Sequence, residues 1–380
     1  MHLETTPEQQ FLLESMSKFL DAEASPQKLR ELYDDSIALD PEYWRRGAEL
    51  GWISMLVPEQ WGGGTLSGRH LPDLMLLAEA FGRSAAPGPL TPCNVVAYAV
   101  SQAGSTSQQE AILQGLTSGE TIATWCLAGT SGRWSPNSVS INASETSDGF
   151  RLDGIACYVE AASQADWLLV TARATDGLIQ FLVPGSAPGL TIQPMTSVDI
   201  VRRFGQVSFA GAVVPVSAVL GDPGDATDIV DRQLQLAAII QCAEANGCAG
   251  RVFEFTLKYM FDRYSFGRPL ASYQALKHRF ADMKLWLECC YATADAAAEA
   301  FERGDADAPE LVSVAKSYIG DHSVPLIQEC VQMHGGMGVT WEHDIHLYLR
   351  RALVNRALFG TPEQHREMIA GLLSETVASR

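Results

Sequence analysis

Positive charge is in short supply in this 380-residue chain. Its 27 lysines and arginines stand against 45 aspartates and glutamates, a formal net charge of −18 at pH 7. So acidic a surface repels a phosphate backbone, which excludes nucleic acid as a partner held through its phosphates. It leaves room for a small basic pocket that takes an anionic ligand. No run of 18 apolar residues occurs, so no segment is expected to span a membrane. Met1-His2-Leu3-Glu4 is followed by polar residues and lacks the charged and apolar regions of a secretory leader. The eight cysteines (93, 126, 157, 242, 248, 289, 290, 330) show no CxxC spacing. The adjacent Cys289 and Cys290 lie in a helical pattern, which suits neither a disulfide nor a zinc site. Free thiols in a reducing cytoplasm are the expectation, with no metal centre. Internal repeats and low-complexity tracts are also missing.

What is present is an ordinary globular composition, 47% apolar and 19% charged, in a chain long enough for two or three cores. Thr6, Pro7 and Gln9 spell a capped helix start, and Phe11, Leu12, Met16, Phe19 and Leu20 follow at helical spacing. Helical patterns recur around 27–37, 41–50, 71–84 and 107–118. From about 121 the chain turns to short β-branched or aromatic runs broken by Gly, Pro, Asn and Asp. These lie at 121–127, 138–143, 150–152, 157–160, 167–174, 179–183, 191–194 and 203–212, and Gly221-Asp222-Pro223-Gly224 closes the series. That spacing predicts an antiparallel sheet. Long helices return at 229–263, 272–303, 308–333 and 343–355, and read as a four-helix bundle.

Two segments carry chemistry. Arg263-Tyr264-Ser265-Phe266-Gly267 ends a long helix ahead of Arg268-Pro269, which cannot continue it. A planar guanidinium suits a pyrophosphate, Ser265 adds a hydroxyl, and Gln274 follows eleven residues after the arginine. In Gln332-Met333-His334-Gly335-Gly336, the double glycine lets backbone N–H groups approach a ligand closely. Taken singly, each segment reads equally well as a plain helix ending.

Taken together, Arg263-x-x-Phe266-Gly267, Gln274 and Gln332-x-x-Gly335-Gly336 resemble the acyl-CoA dehydrogenase family. The resemblance runs the length of the chain and includes Leu50-Gly51-Trp52 leading to Val57-Pro58-Glu59-Gln60-Trp61-Gly62-Gly63. It implies a mainly α fold with a central β domain. The expected parts are an N-terminal helical domain over 1–120, an antiparallel, barrel-like middle domain over 121–222, and a C-terminal four-helix bundle over 223–380. It implies FAD as cofactor, with Arg263, Ser265, Phe266, Gln274, Gln332, Gly335 and Gly336 holding the pyrophosphate and adenosine end of a flavin whose ring lies in a neighbouring subunit. The reaction implied is α,β-dehydrogenation of an acyl-CoA thioester, in which a carboxylate takes the α-proton and the flavin takes hydride.

The carboxylate is missing. At the two places where the family puts it, this sequence has Phe359, before Gly360-Thr361, and Ala237. Glu244, two helical turns beyond Ala237, is a distant fallback. Family members carry a Thr-Glu-Pro-x-x-Gly-Ser-Asp loop on the flavin-ring side; here the segment is Trp125-Cys126-Leu127-Ala128-Gly129-Thr130-Ser131-Gly132-Arg133. Tyr158 replaces the strand tryptophan and Glu160 the small hydroxyl residue, and an ionised Glu160 is expected to repel a reduced flavin. This combination is similar to the base-lacking subunit of bacterial α2β2 enzymes that shorten steroid side chains. Three readings follow: a subunit that completes a partner's flavin site, a self-sufficient homotetramer with an unplaced base, and a non-catalytic binding or structural member of the fold. The first two require an acyl-CoA substrate and an electron-transfer partner. Arg232, Arg251 and Lys258 are candidate CoA contacts by location only.

Overall fold

The computed structural model describes residues 5–34, 39–221 and 226–378. Six helices come first: α1 (Pro7–Glu23), α2 (Pro26–Asp34), α3 (Pro41–Ala48), α4 (His70–Ser84), α5 (Leu90–Ala103) and α6 (Thr106–Ser118). Seven strands follow: β1 (Ala123–Cys126), β2 (Asn142–Thr146), β3 (Gly149–Glu160), β4 (Trp167–Ala174), β5 (Gly177–Pro184), β6 (Leu190–Met195) and β7 (Phe204–Pro215). Then come α7 (Thr227–Asp262), a small hairpin of β8 (Tyr264–Ser265) and β9 (Arg268–Pro269), α8 (Gln274–Arg303), α9 (Ala308–His334), α10 (Ile345–Ala357) and α11 (Pro362–Ala378). The helix–sheet–helix order is the one expected. Residues 35–37 of the second helical pattern and 222–224 of the closing turn lie outside the described residues.

The start of α1 follows its sequence closely. Thr6 Oγ1 accepts from the Gln9 N–H at 3.2 Å, and Gln9 Oε1 accepts from the Thr6 N–H at 2.9 Å. Two helices depart from expectation. α5 is buried nearly all round, so it has no polar face to give it a helical rhythm. α11 packs on α9 and adds a fifth helix to the expected four. Its start repeats the pattern at Thr6, with Thr361 capping Gln364 and Pro362 in the first turn.

The strands form one curled sheet in the order β1-β4-β2-β3-β7-β6, with β5 on the other edge of β4. Pairing is antiparallel along β2-β3-β7-β6 and between β4 and β5. Two parallel junctions join these halves. β1 runs beside Trp167–Val170, and Asn142 of β2 meets Arg173 further along the same edge of β4. The inner face buries Leu152, Leu168, Val170, Phe181, Val183 and Val207 completely, each burial contributing roughly 1.5–3 kcal/mol.

The chain forms two compact units. One comprises residues through Leu29, Met75–Ala86 and everything from Ala238 on; the other comprises Arg30–Leu74 and Pro87–Ala237. The first holds the long helices, the second the sheet. Among the described residues no helix is long and apolar enough to cross a membrane.

Candidate functional site

The helical unit gathers the sequence motifs at one end. α8 and α9 are joined by three residues behind Gly304, so they run antiparallel and the start of α8 lies beside the end of α9. An ion pair between Arg279 and Glu329 and a Cys330–Met283 sulfur contact of 3.9 Å fix that alignment. The end of α9 also meets α7: His334 Nε2 lies 3.2 Å from Thr256 Oγ1, and its ring lies 4.3 Å from that of Tyr259. Arg263 follows Tyr259 by one turn, and Gly335 follows His334 directly. The hairpin between α7 and α8 is held by the Tyr273 hydroxyl, which donates to the Ser265 carbonyl at 2.8 Å, and by Arg268, whose guanidinium lies 3.9 Å over the Tyr273 ring.

Arg263, Ser265, Phe266, Gln274, Gln332, Gly335 and Gly336 are thus all carried on this end. Arg263, Gln274 and Gln332 are exposed, and their side chains make no hydrogen bond or ion pair with the described residues. Phe266, at φ +49°, is 96% exposed. Gly335 has φ 60° and ψ −138°, a conformation essentially confined to glycine, and a Cβ there would meet open space. The turn therefore needs glycine for its backbone shape, with no wall pressing on it. A cation, two amides and an open glycine turn form a donor set that matches a dinucleotide's pyrophosphate and sugar. The donors fit the nucleotide half of FAD.

The sheet unit answers differently for the ring half. Tyr158 sits at a bulge between β3 and β7, with φ +59°, and Ala161 has φ +53°. Glu160 does not present a charge outward. It is 7% exposed and grips Arg202, itself 4% exposed, through both carboxylate oxygens; the Arg202 Nε–Oε1 distance is 2.7 Å, and Nη2 holds Oε2. The expected repulsion of a flavin is therefore corrected: the carboxylate is neutralised in the interior by an arginine that sequence reasoning missed. Asp199 Oδ1 shapes the loop that delivers Arg202 by accepting the Val201 and Arg202 N–H groups. An Asp-x-x-Arg turn opposite a strand glutamate was the available signal.

At the expected base positions the structure shows no carboxylate. Ala237 is fully buried in α7. Phe359 is 7% exposed, adopts φ +57°, and its carbonyl lies 3.0 Å from His365 Nε2. Burial pushes His365 down to about 4, with Lys316 adding to the effect, so the ring is neutral. The fallback, Glu244, is 4% exposed with both oxygens engaged: Arg351 Nη1 is 2.7 Å from Oε1, and Gln241 Nε2 donates to Oε2 at 2.6 Å. Arg351 also donates to the Ala85 and Ala86 carbonyls. Of the candidate CoA contacts, Arg251 and Lys258 are exposed along one face of α7, while Arg232 is half-buried.

In chain order, helices precede and follow a curled sheet, and the exposed donor set at one helical end is of the kind a nucleotide cofactor uses. Comparisons with known proteins make this specific. The model of the acyl-CoA dehydrogenase N-terminal domain matches residues 6–120 and that of the C-terminal domain residues 227–373. Acyl-CoA dehydrogenase IpdE2 of Mycolicibacterium smegmatis is 28% identical over 96% of this chain and 98% of its own. A variant of the Tcur3481–Tcur3483 steroid ACAD is 28% identical with a TM-score of 0.88, over 98% of this chain and 99% of that one. The ChsE4–ChsE5 complex of Mycobacterium tuberculosis gives 27% identity and a TM-score of 0.87, over 99% of each chain. The chain belongs to the acyl-CoA dehydrogenase family, the FAD-dependent oxidoreductases of acyl-CoA thioesters.

Proposed function

We propose that this chain is the base-lacking subunit of a heteromeric acyl-CoA dehydrogenase, and that Arg263, Ser265, Phe266, Gln274, Gln332, Gly335 and Gly336 hold the nucleotide end of a flavin whose ring belongs to a second, acyl-CoA dehydrogenase-like subunit in an α2β2 assembly. The observation that carries this reading is a contrast. Arg263, Gln274 and Gln332, without partners among the described residues, lie exposed at the helical end, while the chain's own ring-side strand is filled by Glu160 and Arg202. Bound FAD would supply the hydride acceptor for α,β-dehydrogenation of the thioester. Arg263 would oppose phosphate charge, the two glutamines would hydrogen-bond sugar and base, and the exposed Phe266, Met337 and Val339 would be covered by the partner. A self-sufficient enzyme would need another base, because Glu244 is already committed to Arg351.

The similarity to the Tcur3481–Tcur3483 steroid ACAD supports a steroid-derived acyl group on the CoA thioester. Reoxidation would fall to an electron-transfer protein. Eight free cysteines, seven of them buried, suit a reducing compartment, which favours the cytoplasm. The element order suits a division at 120/121 and 222/223, the latter boundary lying outside the described residues.

Visible flavin absorbance tests the proposal. The chain purified alone should be colourless, and co-expressed with its partner it should be yellow, with the colour lost on Arg263→Ala. Stoichiometric flavin and turnover in the lone chain would sink the idea.

A further inference from the structure

His334 separates Gln332 from the double glycine, yet its side chain points into the helical unit and is 5% exposed. Its Nε2 lies 3.2 Å from Thr256 Oγ1, its ring rests 4.3 Å from both Tyr259 and His343, and Nδ1 is buried with no hydrogen-bond partner. A buried unpaired ring nitrogen is costly, and a phenylalanine could make the same stack without that cost. What phenylalanine could not do is bond Thr256. That bond ties the last residue of α9 to α7 at a point seven residues before Arg263, which directly follows the helix end at Asp262. Gly335 and Gly336, by contrast, have no neighbour within 4 Å of their Cβ positions to hold them.

We infer that His334 is a positioning residue: through Thr256 it registers the Gln332–Gly336 turn against α7, so that the turn and the Arg263 guanidinium are presented to one nucleotide at a fixed separation. The inference rests on the proposed nucleotide role of this end. Burial, then His343, pushes the imidazole down to about 4. A charged ring would share its cleft of about 380 Å³ with Arg251, Lys258 and His343 against Asp262, Glu342 and Asp344.

The test is FAD affinity of the complete assembly, freed of flavin and titrated by fluorescence quenching. His334→Phe and Thr256→Val should each weaken FAD by about five- to tenfold, the loss of one buried hydrogen bond, while His334→Gln, which keeps a donor, should stay within about twofold. In an Arg263→Lys background, which has already lost the forked contact, His334→Phe should weaken FAD by less than about twofold. Unchanged affinity in Arg263→Ala would overturn the nucleotide reading itself. If Arg263→Ala weakens FAD but neither the His334 nor the Thr256 variant does, or if the His334→Phe loss is equally large in both backgrounds, the residue only supports the fold and the positioning role is wrong.

Discussion

Glu160 on β3 and Arg202 in the loop before β7 close a two-pronged ion pair inside the sheet unit, where both side chains are more than nine-tenths buried. Such a pair contributes little net stability, but breaking it on one side strands a charge. Arg202→Leu should therefore destabilise the protein by about 3–5 kcal/mol, and the double change Glu160→Leu with Arg202→Leu should recover much of that loss. Urea unfolding of the three proteins measures it; equal losses in single and double variants would contradict the pairing.

Glu244 and Arg351 make the corresponding pair in the helical unit, which gives Glu244 a structural duty. Glu244→Gln should lower the melting temperature by several degrees, while turnover per folded assembly changes by less than about twofold. A drop of about a hundredfold or more, the scale on which an enzyme loses a general base, would instead return Glu244 to the chemistry.

Glu79 supplies a pH dependence. Burial pushes its carboxyl up to about 7, against the opposing pull of Arg83 and of the Tyr291 hydroxyl, which donates to Oε1 at 3.3 Å. Its folded value lies above the unfolded 4.5, so between those two the native state holds the extra proton. Stability from this group is present at acid pH and falls as pH rises from about 4.5 through 7. Unfolding free energies measured from pH 5 to 8 should fall more steeply in the wild type than in Glu79→Gln; parallel curves would refute the shift.

Gly335→Ala isolates backbone shape from packing, since the added methyl meets open space. Forcing alanine towards φ 60° and ψ −138° costs about 1–3 kcal/mol, so the turn should relax. Flavin retention by the assembly should fall about tenfold while the melting temperature of the flavin-free protein stays within a degree or two. Equilibrium dialysis against FAD, paired with a melting curve, distinguishes this from general unfolding.

Much of this architecture was legible because local chemistry and tertiary packing agree. The box at Thr6 and Gln9 and the end of the long helix ahead of Arg268-Pro269 look alike in sequence and in structure. What hid was decided by distant partners. α5 has no amphipathic rhythm because it is enclosed on all sides, and the meaning of Glu160 depends on a residue 42 positions away. The Thr361-Pro362-Gln364 start of α11 carries the same local signal as Thr6-Pro7-Gln9.

Helix polarity gives the proposed nucleotide end a direction. α8 begins there at Gln274 with no side chain capping its first N–H groups, whereas α9 ends there at His334. A helix start carries roughly half a positive charge and a helix finish roughly half a negative one. In the proposed site, phosphate would therefore be drawn towards the backbone N–H groups that open α8 and discouraged at the glycine turn, which would be better matched to uncharged hydroxyls. Attraction of this kind weakens as added salt shortens the Debye length. Ionic strength should thus loosen the cofactor from its phosphate side while contacts at the glycine turn persist.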